Sequence, residues 1–168
     1  MPEPWIPWML RRALAFVVAA VVMVLLGSAA HSYLIQQAWS TAAGQAFGTS
    51  GAPIPFADRI SWAGHDLAGM FVPYSAVTSI ALLIAFLIAG ILSRFIGFRT
   101  IVFGVAGAAA LFALFTILRS VLGTVGIFGA RGAAGLAAQM AVGAVVGLLF
   151  ARLTRPRSIP LPPSARAN

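Results

Sequence analysis

Four uncharged apolar stretches organise the chain. The first follows Arg11 and Arg12, runs from Ala13 to Ala30 and continues through Tyr33, Leu34 and Ile35. The others occupy residues 70–93, 100–118 and 132–151. About 20 apolar residues in a helix cross a hydrocarbon core of about 30 Å, so each stretch is long enough, the third barely. The pattern predicts transmembrane helices over about 13–35, 70–93, 100–118 and 132–151.

The connections differ in length. Residues 36–69 read as the one long outer loop, and Arg94 to Arg99 as a tight turn. The third connection, Arg119 to Arg131, carries Gly123, Gly126 and Gly129. Within the long loop, Phe56, Ile60, Ala63, Leu67 and Met70 recur with a helical period, while Asp58, Ser61, Trp62 and His65 fall on other faces. Pro53 and Pro55 lead into it. This predicts a short amphipathic helix on the outer surface, with Trp62 at headgroup level. Gly64 and Gly69 weaken that helix. The expected fold class is all-α: an integral membrane four-helix bundle with a short outer-surface helix. Residues 1–154 form one membrane domain. Residues 155–168, rich in proline, form a disordered cytoplasmic tail.

Composition supports the bilayer. Of 168 residues, 61% are hydrophobic and 8% charged, and the mean hydropathy is +0.98. A soluble domain carries about 25% charged residues. So few charges suffice only where lipid replaces water over most of the surface. All eleven basic residues are arginine, and the acids are Glu3, Asp58 and Asp66. In a soluble chain a net charge of +8 would suggest nucleic acid. At the ends of apolar stretches arginines mark orientation and anionic lipid instead, so the expected partner is the bilayer and not nucleic acid.

Arginine placement sets the expected topology. Arg11, Arg12, Arg94, Arg99, Arg152, Arg155, Arg157 and Arg166 fall on one side, and Arg59, Arg119 and Arg131 on the other. The positive-inside rule then puts both termini in the cytoplasm. The Arg-only, Ala- and Gly-rich usage is that of a GC-rich bacterial genome. This gives a multi-pass protein of the inner membrane. A competing reading makes Arg11-Arg12, the apolar stretch and Ser28-Ala29-Ala30 a cleaved signal peptide. The run past that site through Ile35 favours an anchoring helix.

Two features of the spans stand out. Gly135, Gln139, Gly143 and Gly147 recur every four residues on one face of the fourth, and Gly104, Gly107, Ala106, Ala110 and Ala113 give the third a small-residue surface. Such faces let helix backbones approach, either within one bundle or against another subunit or copy. Polar residues gather in the outer half: Ser28, His31, Tyr74, Ser75, Thr78, Ser79, Thr116 and Gln139, with Arg119 and Arg131 at the rim. One reading is an outward polar cleft lined by Tyr74, Thr78, Ser79, Thr116 and Gln139. The other is that the hydroxyls bond their own i−4 carbonyls. Gln139, about 10 Å deep, needs partners, and Thr78 and Ser79 lie at similar depth. At the rim, His31, His65 and Asp66 gather with Arg119 and Arg131, and an Asp66 ion pair with Arg131 or Arg119 would clasp the two outer loops.

Catalytic chemistry finds little support. His31, His65, Asp58 and Asp66 are the only metal-type ligands near the outer surface, without HxxxH or HExxH spacing. A metal site or a bis-His haem remains an alternative, but no cofactor is expected. No Ser/His/Asp order, paired catalytic carboxylates, phosphate loop or dinucleotide fingerprint is present. The absence of cysteine rules out thiol chemistry. Both aspartates lie outside the spans, which argues against an ion-coupled transporter acting alone.

His65-Asp66-Leu67-Ala68-Gly69-Met70 with Pro73-Tyr74, and Gly129-Ala130-Arg131-Gly132 with Gln139, resemble small uncharacterised four-span bacterial inner-membrane proteins, from about Phe56 onward. The resemblance implies a four-helix membrane protein and carries over no catalytic residue. The expected function is that of a non-enzymatic accessory or assembly subunit packing on a membrane partner. The alternative is a small transport or lipid-handling protein using the outward cleft.

Overall fold

The computed structural model describes residues 6–48, 54–122 and 132–155. Within them the chain is helical, in four helices: α1 (Ile6–Phe47), α2 (Phe56–Ile96), α3 (Arg99–Leu122) and α4 (Ala133–Leu153). Each is long and apolar enough to cross a membrane. The helices neighbour one another in a closed ring, α1 on α2, α2 on α3, α3 on α4 and α4 back on α1. Large aliphatic side chains such as Val17, Val21, Ile84, Ile88, Ile101 and Ile117 point out of the ring, as lipid contact requires. The protein is an all-α, multi-pass membrane bundle.

The loop expected over 36–69 is mostly helix. α1 has 42 residues and α2 has 41, about 60 Å each, well beyond the 40–45 Å of a whole bilayer. Polarity ends the apolar run after Ile35, but Gln36, Gln37, Ala38, Ala42 and Ala43 are good helix formers and continue it. Gly48, at φ 65°, marks where helix geometry stops. The short outer helix expected over 57–70 is the opening of α2, not a separate element. Pro73 lies inside α2 and removes one main-chain bond without ending the helix. The extensions of α1 and α2 therefore form a helical hairpin at one end of the bundle, called here the hairpin end. The opposite, arginine-rich end carries Arg11, Arg12, Arg94, Arg99, Arg152 and Arg155. There α2 turns into α3 through Gly97, whose φ of 80° favours glycine and whose N–H donates to the Ser93 carbonyl at 3.3 Å. The tail expected from residue 155 lies outside the described residues apart from Arg155 itself.

α3 and α4 meet backbone to backbone. A Cβ on Gly107 would run into the Gly143 carbonyl, one on Gly143 into the Gly107 carbonyl, and one on Gly147 into the Phe103 carbonyl. Gly104 faces Leu148. Gly135, Gly143 and Gly147 are all buried with Gln139. Gly143 and Gly147 are thus spent inside the bundle, against α3, and are not free for another subunit. Toward the arginine-rich end four phenylalanines close the core: Phe86 stacks on Phe150 at 4.7 Å between ring centroids, and Phe103 and Phe16 pack around them.

Gly107→Leu or Gly143→Leu should destabilise the bundle by at least the roughly 1–3 kcal/mol typical of overpacking, because backbone cannot yield as a side chain does. Thermal unfolding in detergent measures it. Unchanged stability in both variants would mean that the two backbones do not meet.

Candidate functional site

The buried polar groups form a knot across three helices. Gln139 on α4 is completely buried (0% exposed). Its Oε1 accepts a hydrogen bond from the Tyr74 hydroxyl of α2 at 2.7 Å, and its Nε2 donates to the Gly27 carbonyl of α1 at 3.1 Å. An amide in hydrocarbon costs several kcal/mol unpaired, so both ends of this one are occupied. Glycine at 27 leaves the room: a Cβ there would strike the Tyr74 hydroxyl, with the ring carbon Cζ at 2.8 Å.

Tyr74, not Thr78 or Ser79, is therefore the partner of Gln139. Thr78 is buried one turn along α2, but its hydroxyl donates to the Tyr74 carbonyl at 2.6 Å, the local i−4 bond that hydroxyls make in helices. Ser79 is half-buried. Thr116 is exposed on the outside of α3 and donates to the Phe112 carbonyl at 2.7 Å, so it does not line a cleft with the others. The reason is helical phase: on α3 the face turned inward holds Phe103, Gly107, Leu111 and Phe115. Of the five residues expected to line a polar cleft, Tyr74, Thr78 and Gln139 come together, and they bond one another, the helix backbone of α2 and the Gly27 carbonyl of α1.

A second polar stripe holds the hairpin. On α1, Ser28, His31, Ser32 and Gln36 are buried. Ser32 donates to Asp66 Oδ2 of α2 at 2.7 Å, and Gln36 donates to the Arg59 carbonyl at 3.1 Å. Arg59 donates in turn to the Ile54 carbonyl at 3.1 Å. Asp66 lies close enough to His31 to act on it electrostatically. Because α2 continues unbroken through Asp66, that carboxylate turns toward α1. The expected Asp66–Arg119 clasp does not form, Arg119 being exposed near the end of α3. Arg131 lies outside the described residues. His65 is exposed, its Nδ1 bonded to the Ser61 carbonyl at 3.1 Å. Among the described residues no three His, Cys, Asp or Glu side chains gather as a metal site.

At the arginine-rich end, cations cap α4. Arg11 of α1 donates through Nε and Nη2 to the Leu153 carbonyl at 3.1 and 2.8 Å, and through Nη2 to the Arg155 carbonyl at 2.7 Å. Arg99 of α3 bonds the Thr154 hydroxyl and carbonyl. The last carbonyls of a helix lack partners within it and carry partial negative charge, which suits guanidinium donors. These arginines read from the sequence as markers of topology; they also tie α1 and α3 to the end of α4. That role has no local signature, because the carbonyls they reach are more than fifty residues away along the chain. The stripe on α1 did have one: Ser28, Ser32 and Gln36 recur every four residues.

The fourth feature is an open groove between α2 and α3. Its volume is about 820 Å³ and every lining residue is apolar, among them Ala85, Ala89, Ala106, Ala109, Ala110 and Ala113. It extends from Ile96 and Ile101 at the arginine-rich end to Val77 and Ile117.

Fold and polar network together define a four-span helical membrane protein whose buried polar groups join helices to one another. Compared with family models, with curated proteins and with solved structures, the chain finds no match in any of the three.

The knot can be tested by a double-mutant cycle. Tyr74→Phe strands Gln139 Oε1, and Gln139→Leu strands the Tyr74 hydroxyl. Each should cost about 1–3 kcal/mol, and the double variant less than their sum, with a coupling of about 0.6–2 kcal/mol. Additive unfolding free energies would show that the two side chains do not interact.

Proposed function

We propose that the chain is a non-enzymatic accessory or assembly subunit of the bacterial inner membrane, packing on another membrane subunit through the α2–α3 groove. The groove is the observation that carries this reading. It follows the helices through most of the hydrocarbon depth, and it offers no polar group with which a substrate would be recognised. Small residues along its course, Ala89 and Ala110 among them buried, give a partner backbone room for close approach. The small-residue surface of α3 is thereby divided: Gly104 and Gly107 serve α4, while Ala106, Ala109 and Ala113 are left for the partner. A second copy of the chain is the other candidate occupant.

The transport reading needs polar side chains that open outward. Tyr74, Thr78 and Gln139 are instead buried in completed hydrogen bonds, which supports structural joints over a substrate path. The arginine asymmetry supports cytoplasmic termini, with the hairpin on the opposite, periplasmic side.

Two experiments test this proposal. A C-terminal GFP fusion should fluoresce and an alkaline-phosphatase fusion should be inactive; the reverse would overturn the orientation. For the partner, Ala109→Trp and Ala113→Trp fill the groove from exposed positions and should leave the thermal stability of the isolated bundle nearly unchanged. After mild solubilisation the parent chain should copurify with a stoichiometric membrane protein, or with a differently tagged copy of itself, and both variants should lose it. A parent chain that purifies alone, or variants that keep the partner, would contradict the groove as the contact.

A further inference from the structure

A second cavity, distinct from the α2–α3 groove, opens at the arginine-rich end, and all four helices contribute to it. Its volume is about 730 Å³. Arg12, Arg94 and Arg99 line it with Ser93, and the remaining wall is apolar, including Phe16, Leu83, Leu87 and Phe150. That volume lies in the range of small-molecule sites, about 300–1,000 Å³.

The charges there are unbalanced. Arg12 feels the charge of Arg94, and Arg99 that of Arg12. No carboxylate lies near them among the described residues: Asp58 and Asp66 are in the hairpin half of α2, and Glu3 is outside the described residues. From Asp66 to Arg94 is 28 residues of continuous helix, about 42 Å. Arg99 is doubly ill placed for an isolated bundle. It occupies the first turn of α3, where a positive charge opposes the helix dipole. Its Nη2 is engaged by Thr154, yet its Nε is buried with no hydrogen-bond partner. A buried guanidinium N–H left unpaired is costly, and an anion would remove that cost and the mutual repulsion together. Arg12, stacked over the Trp8 ring at 3.9 Å, and Arg94 contribute no hydrogen bond to the cap of α4.

The apolar wall fixes what kind of anion fits. On α2 it runs from Arg94 to Leu83, eleven residues and about 16 Å. Half of a hydrocarbon core of about 30 Å is about 15 Å. The cavity thus places cations at headgroup level and an apolar trough one leaflet deep beneath them. We propose that it binds an anionic diacyl phospholipid, its phosphate held by Arg12, Arg94 and Arg99 and one acyl chain lying along Phe16, Leu83 and Leu87. Free phosphate would use the arginines and leave the trough empty.

Native mass spectrometry of the protein in neutral detergent tests this, titrating phosphatidylglycerol against phosphatidylcholine of the same chains. One phosphatidylglycerol should be retained at least about tenfold more tightly. At about 1 kcal/mol per arginine, Arg12→Gln and Arg94→Gln should each weaken it about fivefold, and the double variant about 25-fold. Neither substitution touches the Arg11 and Arg99 bonds that cap α4, so the fold should survive; thermal unfolding checks this. Leu87→Trp, which fills the trough from an exposed position, should weaken binding with every arginine in place. Equal retention of the two lipids would overturn the proposal, as would a double variant that binds like the parent. Displacement of the lipid by millimolar inorganic phosphate would also overturn it, by showing a site for a free anion.

Discussion

One constraint shapes this protein: a polar group inside a bilayer must find its partner within the protein. Gln139 shows the consequence. Its amide has two ends and each is taken by a different helix, the Tyr74 hydroxyl of α2 and the Gly27 carbonyl of α1. A single side chain of α4 thereby sets the depth of three helices relative to one another. α3 is then fixed to α4 by a different device, the mutual approach of Gly107 and Gly143 and of Gly147 with the Phe103 carbonyl. Three faces of the ring are closed by hydrogen bonds or backbone contact. The fourth, between α2 and α3, joined at one end by the Gly97 turn, keeps an open apolar groove.

The two ends of the bundle meet the same constraint in different ways. At the hairpin end, Ser32 and Asp66 and then Gln36 and the Arg59 carbonyl carry the α1–α2 contact past the apolar run. At the other end, Arg11 and Arg99 supply donors to the carbonyls that α4 leaves unpaired. The long reach of arginine suits that task, since each bond spans from one helix to the terminus of another. Arg12 and Arg94 are left over from this capping, and together with Arg99 they line the second cavity.

The four spans were legible because hydropathy and helix length act locally, and so was the packing face of α4, where glycine every four residues leaves few other uses. The hairpin was not, because Gln36, Gln37 and their neighbours are polar, and polarity distinguishes lipid from water, not helix from loop. The partner of Gln139 is not legible for a related reason. Depth along the span pointed to Thr78 and Ser79, whereas reach and helix phase select Tyr74, whose hydroxyl extends across the gap that Gly27 leaves open. Depth alone suits Thr116 to the cleft, but its phase on α3 puts it outside. Contacts between distant segments, such as Arg11 with Leu153, leave no trace in spacing at all.

The central claim is that the polar residues in the hairpin half of the membrane domain are a dry joint between helices. Since the chain contains no cysteine, single cysteines report on water access without a background. Ser28→Cys and Thr78→Cys, at buried positions, should resist a charged, membrane-impermeant thiol reagent, while Gln45→Cys on the exposed hairpin should react readily. Reaction at positions 28 and 78 as fast as at 45 would reveal a water-filled cleft and contradict the account.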